Sequence, residues 1–526
     1  MEDYFMKTAL IHGFVAPHTL NCSAFVIEDN KIIYTGNDEE AVQIADHVID
    51  LNGKCVLPGF NDSHMHLLNL GSFLMNLDLT QAQSSREILQ MVKQKAETLP
   101  DTMWIKGRGF NQDNFKDGVM FTKQELDQVS PHHPVMLTRC CGHQICVNSK
   151  ALEKAGITKD TQVEGGTIDY ETGILTENAN ELIKAAQDEI TVEEIEELII
   201  KAAEYCNQYG ITSVQSDDFM TLTQHYDKVL QAFINLNEKQ KLTVRLYEQC
   251  QFASLDIYKE FLKDKRRFIR SNFMSMGPLK ILQDGSLGAR TAALTVPYAD
   301  DPSTQGMIVV PQEALEAYIK TAKEHQMGAA VHVIGDAACD SVLNAYEKIN
   351  DKDNPLRSGL VHVQITREDQ LKKIAELNLH NYIQSIFIDY DARIVKERVG
   401  DLEHTSYAFK TLYDTATLSN GSDGPVELPD VLKGIECAVT RRSVTDPSRT
   451  LNTKEALSLS EAIHSYTSGG AYASFEEHLK GDIQAGMLAD FVVLEKNPFD
   501  VQPEEIHTIK ICETWIDGKK VYSSNI

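Results

Sequence analysis

The sequence predicts an α/β fold: a TIM-like (β/α)8 barrel carrying an inserted subdomain, with a small β-sandwich domain assembled from both termini. Three observations predict it. Eight short apolar or β-branched runs alternate with stretches of helical periodicity; one interval between runs is several times longer than a crossover helix needs; and both ends are β-rich but too short to fold alone.

Residues 1–57 read as β structure. SAFVIEDNKIIYTGND places two apolar runs around Glu28-Asp29-Asn30, a hairpin signal, and HVIDLNGKCVLPG leads to a break at Pro58-Gly59. The far end is similar. ADFVVLE reads as a strand, and ICETWIDGKKVYS carries an Asp517-Gly518 turn between two more. The two ends, 1–57 and 475–526, are therefore assigned to one composite sheet domain, with residues 58–474 inserted between them.

The barrel rests on CVLPGFND, GITSVQSD, LTVRLYEQC, SMGPLKILQDG, MGAAVHVIGD, GLVHVQIT, NYIQSIFI and ATLSNGSDG. The clearest helix between runs is TVEEIEELIIKAAEYCNQYG, where Ile195, Leu198, Ile199, Ala202, Ala203 and Cys206 share a face. Thr191 with Glu194 fits a capping box, and Gly210 follows the last apolar position as a stop. Eight strands favour closure, because open doubly wound sheets more often stop at about five or six. About 150 residues separate the first run from GITSVQSD, which places an inserted subdomain at about 78–190.

Composition bounds the function. The 526 residues are 42% hydrophobic and 24% charged, as in ordinary soluble proteins, and the formal net charge is −27. That field repels phosphate backbones and anionic membrane surfaces, so neither nucleic acid nor membrane is an expected partner. No apolar stretch approaches the ~18 residues of a membrane span, and MEDYFMKTALIHGF lacks a leader pattern, so a cytoplasmic location is expected. The ten cysteines form no CxxC pair and read as reduced core residues.

A barrel keeps its chemistry at the C-terminal ends of its strands. His64 and His66, in NDSHMH, follow the first run, and alternation puts both imidazoles on one side, where they can grip a divalent metal. Lys280 lies in the fourth run, His332 in the fifth, His362 in the sixth and Asp423 at the end of the eighth. Each alone has a bland reading as a core histidine, a snorkelling lysine or a turn. Six metal-competent or metal-convertible groups on five runs form a constellation.

On LPGFNDSHMH, LKILQDGSLGARTAALTVPYADDPSTQG, HVIGDA, LVHVQI, NGSDGPV and GDIQAGMLADFVVLEKNPFD, the sequence resembles the amidohydrolase superfamily of metal-dependent hydrolases. The likeness is specifically to its YtcJ-like branch, which includes N-substituted formamide deformylases. It implies a metallo-hydrolase barrel in which His64, His66 and Asp423 bind one metal, His332 and His362 bind a second, and Lys280 bridges both as a carboxylated lysine. Two zinc ions per chain are implied, with manganese or iron as alternatives; a homodimer would fit such a family. Gly424 stands where such sequences often have alanine. A carbamate on Lys280 would offset charge that an ammonium would add beside two cations, and Asp284, on the same face, is the fallback anionic ligand.

The expected reaction is attack of a metal-activated hydroxide on a small amide, cleaving its C–N bond, with Asp423 carrying the proton to the leaving nitrogen and His332 indispensable. His143, in CCGHQICVNS, and Arg290, in SLGARTAAL, are candidates for stabilising the oxyanion or orienting substrate. A deaminase or cyclic-imidate hydrolase on the same barrel is the alternative, and a catalytically silent binding or regulatory barrel is the reading from another class.

Overall fold

A sheet of eight parallel strands follows chain order in the computed structural model, which describes residues 6–16, 22–99, 103–112, 115–116, 119–139, 144–187, 189–223 and 225–524. The strands are β1 (Phe60–Met65), β2 (Ile211–Ser216), β3 (Arg245–Gln251), β4 (Met274–Leu282), β5 (Ala329–Val333), β6 (Gly359–His362), β7 (His380–Ile383) and β8 (Thr417–Asn420). Each pairs in parallel with the next. The ladder is nearly closed. Past the end of β8, the N–H of Asp423 donates to the carbonyl of His64 at 2.8 Å, and the N–H of His66 donates to that of Gly424 at 2.8 Å. The last strand is thus tied to the first.

The chain divides into two compact units, Met1–Leu70 with Val192–Ile526, and Gly71–Thr191. In the first, the strands read as near-continuous runs because helices cover them outside and side chains fill them inside. The helix Val192–Gln208 buries Ile195, Ile199, Ala202, Ala203 and Cys206, the face its periodicity predicts. Gly210 has φ +78° where the chain turns into β2, and a Cβ there would lie 2.8 Å from Val492 Cγ2. The run CVLPGFND is divided at Gly59. Cys55–Pro58 pairs antiparallel with Phe491–Leu494, and only Phe60 onward enters the barrel.

That pairing joins the two ends in a five-stranded sheet of Phe14–Val15, Cys55–Pro58, Phe491–Leu494, Ile511–Ile516 and Lys519–Ser523. A four-stranded sheet holds Thr8–Ile11, Ala24–Glu28, Lys31–Gly36 and His47–Asp50. The two share a core. Phe25 meets Phe491 edge-on at 5.0 Å, and Phe491 stacks on Trp515 at 5.3 Å. The N-terminal segment also contains the helix Asp38–Ile44, which the β reading does not foresee; Asn37 caps it through the Glu40 N–H. Arg245 on β3 reaches this region, with Nε 2.6 Å and Nη2 2.8 Å from the Asp490 carboxylate and Nη2 3.2 Å from Asp517.

The second unit has a mixed six-stranded sheet in the order Gly166–Asp169, Ile174–Glu177, Gln144–Val147, Val135–Arg139, Ile105–Phe110, Leu77–Asp78. The helix Ser85–Ala96 contributes Ile88 and Val92 to a core with Phe110, Phe121 and Leu137. Among the described residues no helix is long and apolar enough to cross a membrane. The eight described cysteines are free and buried; Cys140 and Cys141 lie outside the described residues.

Candidate active site

His64 lies inside β1 rather than after it, and His66 follows one residue beyond the strand. Their rings stand 5.4 Å apart, and with Asp423 they offer ligand atoms all within 4.8 Å of one another. Asp423 Oδ1 is 3.1 Å from His66 Nε2 and 3.5 Å from His64 Nε2. Across the mouth, His362 ends β6 and its ring centroid is 4.5 Å from that of His332 on β5 and 5.4 Å from that of His64. Lys280, inside β4 and 2% exposed, places Nζ 3.3 Å from His64 Nε2 and donates to Asp217 Oδ2 at 3.1 Å. The structure brings together all six residues of the constellation.

Each imidazole is held by one nitrogen. His64 Nδ1 meets Gln249 Oε1 at 2.6 Å, and His362 Nδ1 meets Gln384 Oε1 at 2.6 Å. Both glutamine amides are themselves oriented, because Gln249 Nε2 donates to the Ser63 carbonyl and Gln384 Nε2 to that of Tyr382. His66 Nδ1 donates to the Asp217 carbonyl at 2.8 Å, and His332 Nε2 to that of Gly285 at 3.0 Å. Oxygen acceptors fix the protons there, so the lone pairs fall on Nε2 of His64 and His362 and on Nδ1 of His332, while Nε2 of His66 faces the Asp423 carboxylate at 3.1 Å. Metal-binding histidines are oriented in this way.

Electrostatics divides the group. Burial, helped by the Lys280 charge, holds His64 well below its ordinary range, and burial with His332 does the same for His362. Burial also opposes charge on His66, yet the hydrogen bond and field of Asp423 push it up to about 9. Burial resists ionisation of Asp423 too; the hydrogen bond from His66 and the surrounding imidazoles nevertheless hold its carboxyl well below the usual range.

The backbone at these positions is unusual. His362 has φ 76°, Val363 φ 50° and Asp423 φ 59°, in the left-handed region that non-glycine residues rarely visit. Such conformations cost on the order of 1–3 kcal/mol each and persist where the surroundings over-determine them. Beneath Asp423, buried Asp62 accepts from the Ser422 hydroxyl at 2.5 Å and the Ser422 N–H at 3.0 Å. Burial lifts the Asp62 carboxyl to about 7 against those hydrogen bonds.

Two candidates have partners of their own. The Asp284 carboxylate accepts from the N–H groups of Ala293 (2.9 Å), Ile334 (3.0 Å) and Gly335 (2.8 Å) and lies 3.3 Å from His332 Nε2. It braces the loop that holds His332. Arg290 is not brought to the cavity; its guanidinium makes a two-pronged pair with Asp300 at 3.2 and 2.7 Å. His143 lies outside the described residues. Sequence reasoning missed Gln249, Gln384 and Asp217. Their available signal is a polar side chain inside a run buried on both faces, which demands a partner.

The constellation forms the floor of a cavity of about 520 Å³, whose walls include Leu282, Leu287, Ile334, Phe387 and Val426. A parallel eight-stranded barrel with four oriented imidazoles, a carboxylate and a lysine at its strand ends has the architecture of a metal-dependent hydrolase. The chain belongs to the amidohydrolase family, whose model matches residues 47–522. It is 35% identical to "Putative amidohydrolase YtcJ" of Bacillus subtilis (strain 168), covering 95% of this chain and 96% of that one. It is 25% identical to "N-substituted formamide deformylase" of Arthrobacter pascens, covering 94% of each. Among solved structures it is similar to an uncharacterized metal-dependent hydrolase from Pyrococcus furiosus, with TM-score 0.77, 31% identity, and 94% of this chain and 100% of that one covered. Family membership supports hydrolase activity and implies a divalent metal.

Proposed function

We propose that the protein hydrolyses the C–N bond of a small amide, with N-substituted formamides as the first class to test. The observation that carries this reading is the convergence of four imidazoles, each fixed by an oxygen partner on one nitrogen, with Asp423 and Lys280. That donor set fits divalent cations. His64, His66 and Asp423 would hold one; His332 and His362 would hold a second; and Lys280, as a carbamate, would bridge them. When bound, such a cation lowers the pKa of water toward about 7 and polarises a carbonyl.

The chain's own groups supply the rest. Asp423, ionised and directed at the floor, accepts the proton released as the nucleophile forms and delivers it to the departing nitrogen, without which amide cleavage stalls. Gln249, Gln384 and the carbonyls of Asp217 and Gly285 keep the imidazoles in register. The apolar walls exclude water from the reacting bond. The two terminal sheets are read with this scaffold as a β-sandwich domain made by both ends, supported by the Phe25–Phe491–Trp515 core.

The test is a turnover screen of the zinc- or manganese-loaded protein against formamides, other amides, lactams and amidines, with products identified. A carboxylate plus an amine, lost on chelation and restored with metal, supports the reading. Ammonia as the only nitrogenous product, or full activity in metal-free protein, contradicts it.

A further inference from the structure

The same cavity holds acceptors that the reaction does not use. Asp391, at the end of the short helix Ile388–Asp391 after β7, and Glu427, four residues past Asp423, both line it. Gln364, two residues beyond His362, lines it as well; it is 3% exposed and its Oε1 has no hydrogen-bond partner. A buried amide oxygen left without a donor is costly, on the order of 1–3 kcal/mol, and asks for one from a ligand. Among the described lining residues Lys280 is the single lysine or arginine, and its Nζ is engaged with Asp217.

The nearby cations are engaged elsewhere. Lys433 is 3.8 Å from Glu427 but 2.7 Å from Asp389. Arg398 donates to the carbonyls of Leu287 at 2.7 Å and Gly288 at 2.8 Å. Tyr407 organises the acceptors, since its hydroxyl donates to Asp391 and its N–H donates to the Gln364 carbonyl at 2.7 Å. Among the described residues no donor is left for the side-chain oxygen of Gln364.

We propose that the substrate carries a cationic nitrogen, of the ammonium or guanidinium class, at the end remote from the scissile bond, and that Asp391, Glu427 and the side-chain Oε1 of Gln364 receive it. This rests on the amide-hydrolase reading and names its substrate class. Phe387, Leu287 and Val426 line the same cavity and would pack a short apolar spacer. A substrate ending in a carboxylate would meet two like charges and an acceptor with no proton to accept, which disfavours it.

The experiment uses the metal-loaded protein and a matched series of N-formyl and N-acetyl alkylamines whose far end is a guanidinium, a neutral urea of the same shape, or a carboxylate, followed by formate or acetate release. The cationic member is expected to have kcat/KM at least tenfold above the urea, with the carboxylate lowest. In Asp391→Asn and Glu427→Gln, checked for fold by circular dichroism, the cationic-to-neutral ratio is expected to fall toward one, chiefly through KM. Equal rates across the series, or preference for the carboxylate, would overturn the proposal. If no member turns over, the amide reading fails instead, and calorimetry with an alkylguanidinium and the matching alkylurea still decides: tighter guanidinium binding that Asp391→Asn weakens supports the cation subsite, and equal binding refutes it.

Discussion

The backbone N–H of Asp423 donates to the carbonyl of His64 at 2.8 Å, so the contact that ties the last barrel strand to the first is made by two residues of the candidate metal centre. Stability of the seam and geometry of the site are therefore coupled. Gly421 sits at this junction: a Cβ there would lie 2.5 Å from His64 N and 2.7 Å from Asp62 Oδ1.

Gly421→Ala is accordingly expected to lower stability by about 1–3 kcal/mol, as overpacking does, and to weaken metal uptake at the same time. Denaturant unfolding of the metal-free protein and a metal titration measure the two effects. Loss of stability with unchanged metal affinity would separate seam from site.

Gln249 and Gln384 orient His64 and His362 without lining the candidate metal sites as ligands. Replacing either with leucine is expected to lower metal affinity or activity by about 10–100-fold, the usual effect of removing a histidine's outer hydrogen-bond partner. Glutamate at the same position, which keeps an acceptor, should recover part of it. An unaffected metal titration in the leucine variants would mean the imidazoles are held by packing alone.

Arg245 and Asp490 form a buried, two-pronged ion pair, both side chains 3% exposed. Arg245→Ala leaves the buried Asp490 without its cation and with the Asp517 N–H as its remaining side-chain partner, and a loss of about 3–5 kcal/mol is expected. Thermal or denaturant unfolding of the full chain checks this; a loss under 1 kcal/mol would show that water or rearrangement compensates Asp490.

His380, buried on β7, bonds through Nδ1 to Thr417 Oγ1 at 3.0 Å and through Nε2 to Ser419 Oγ at 2.8 Å. Burial, with Arg357 nearby, lowers its pKa to about 3. The unfolded chain, titrating near 6.5, binds a proton that the folded one refuses. Its contribution to stability is therefore complete above pH 6.5 and is lost as pH falls below it, at about 1.4 kcal/mol per pH unit for one proton. His380→Gln should be less stable than wild type at pH 7.5, and the gap should close on acidification toward pH 5. A constant gap would mean that His380 titrates alike in both states.

The barrel was legible because strands covered on both faces write continuous apolar runs, and because turns after them gather polar residues. His64, His332, His362 and Asp423 stood out as reactive side chains at those ends, and Lys280 as a charge inside an apolar run. Gln249 was not legible as an orienting group: its partner His64 is 185 residues away, and only closure of the barrel puts β3 beside it. The pairing of Arg290 was not legible because a conspicuous cation in a loop carries no mark of the Asp300 that engages it. Gly59 hid a strand change, since the apolar CVLP before it reads as the barrel strand while the strand that enters the barrel, FNDSHM, is mostly polar. The mixed sheet of the 71–191 unit stayed obscure because its short strands are partly exposed and lack one clean period.

The central claim is that these six side chains hold the metal. Anomalous diffraction from crystals of the zinc-loaded protein tests it most directly. The account predicts one ion among His64, His66 and Asp423, a second at His332 and His362, and density extending from Lys280 Nζ between them. Ions bound elsewhere, or none at the barrel mouth in protein that is active, would contradict it.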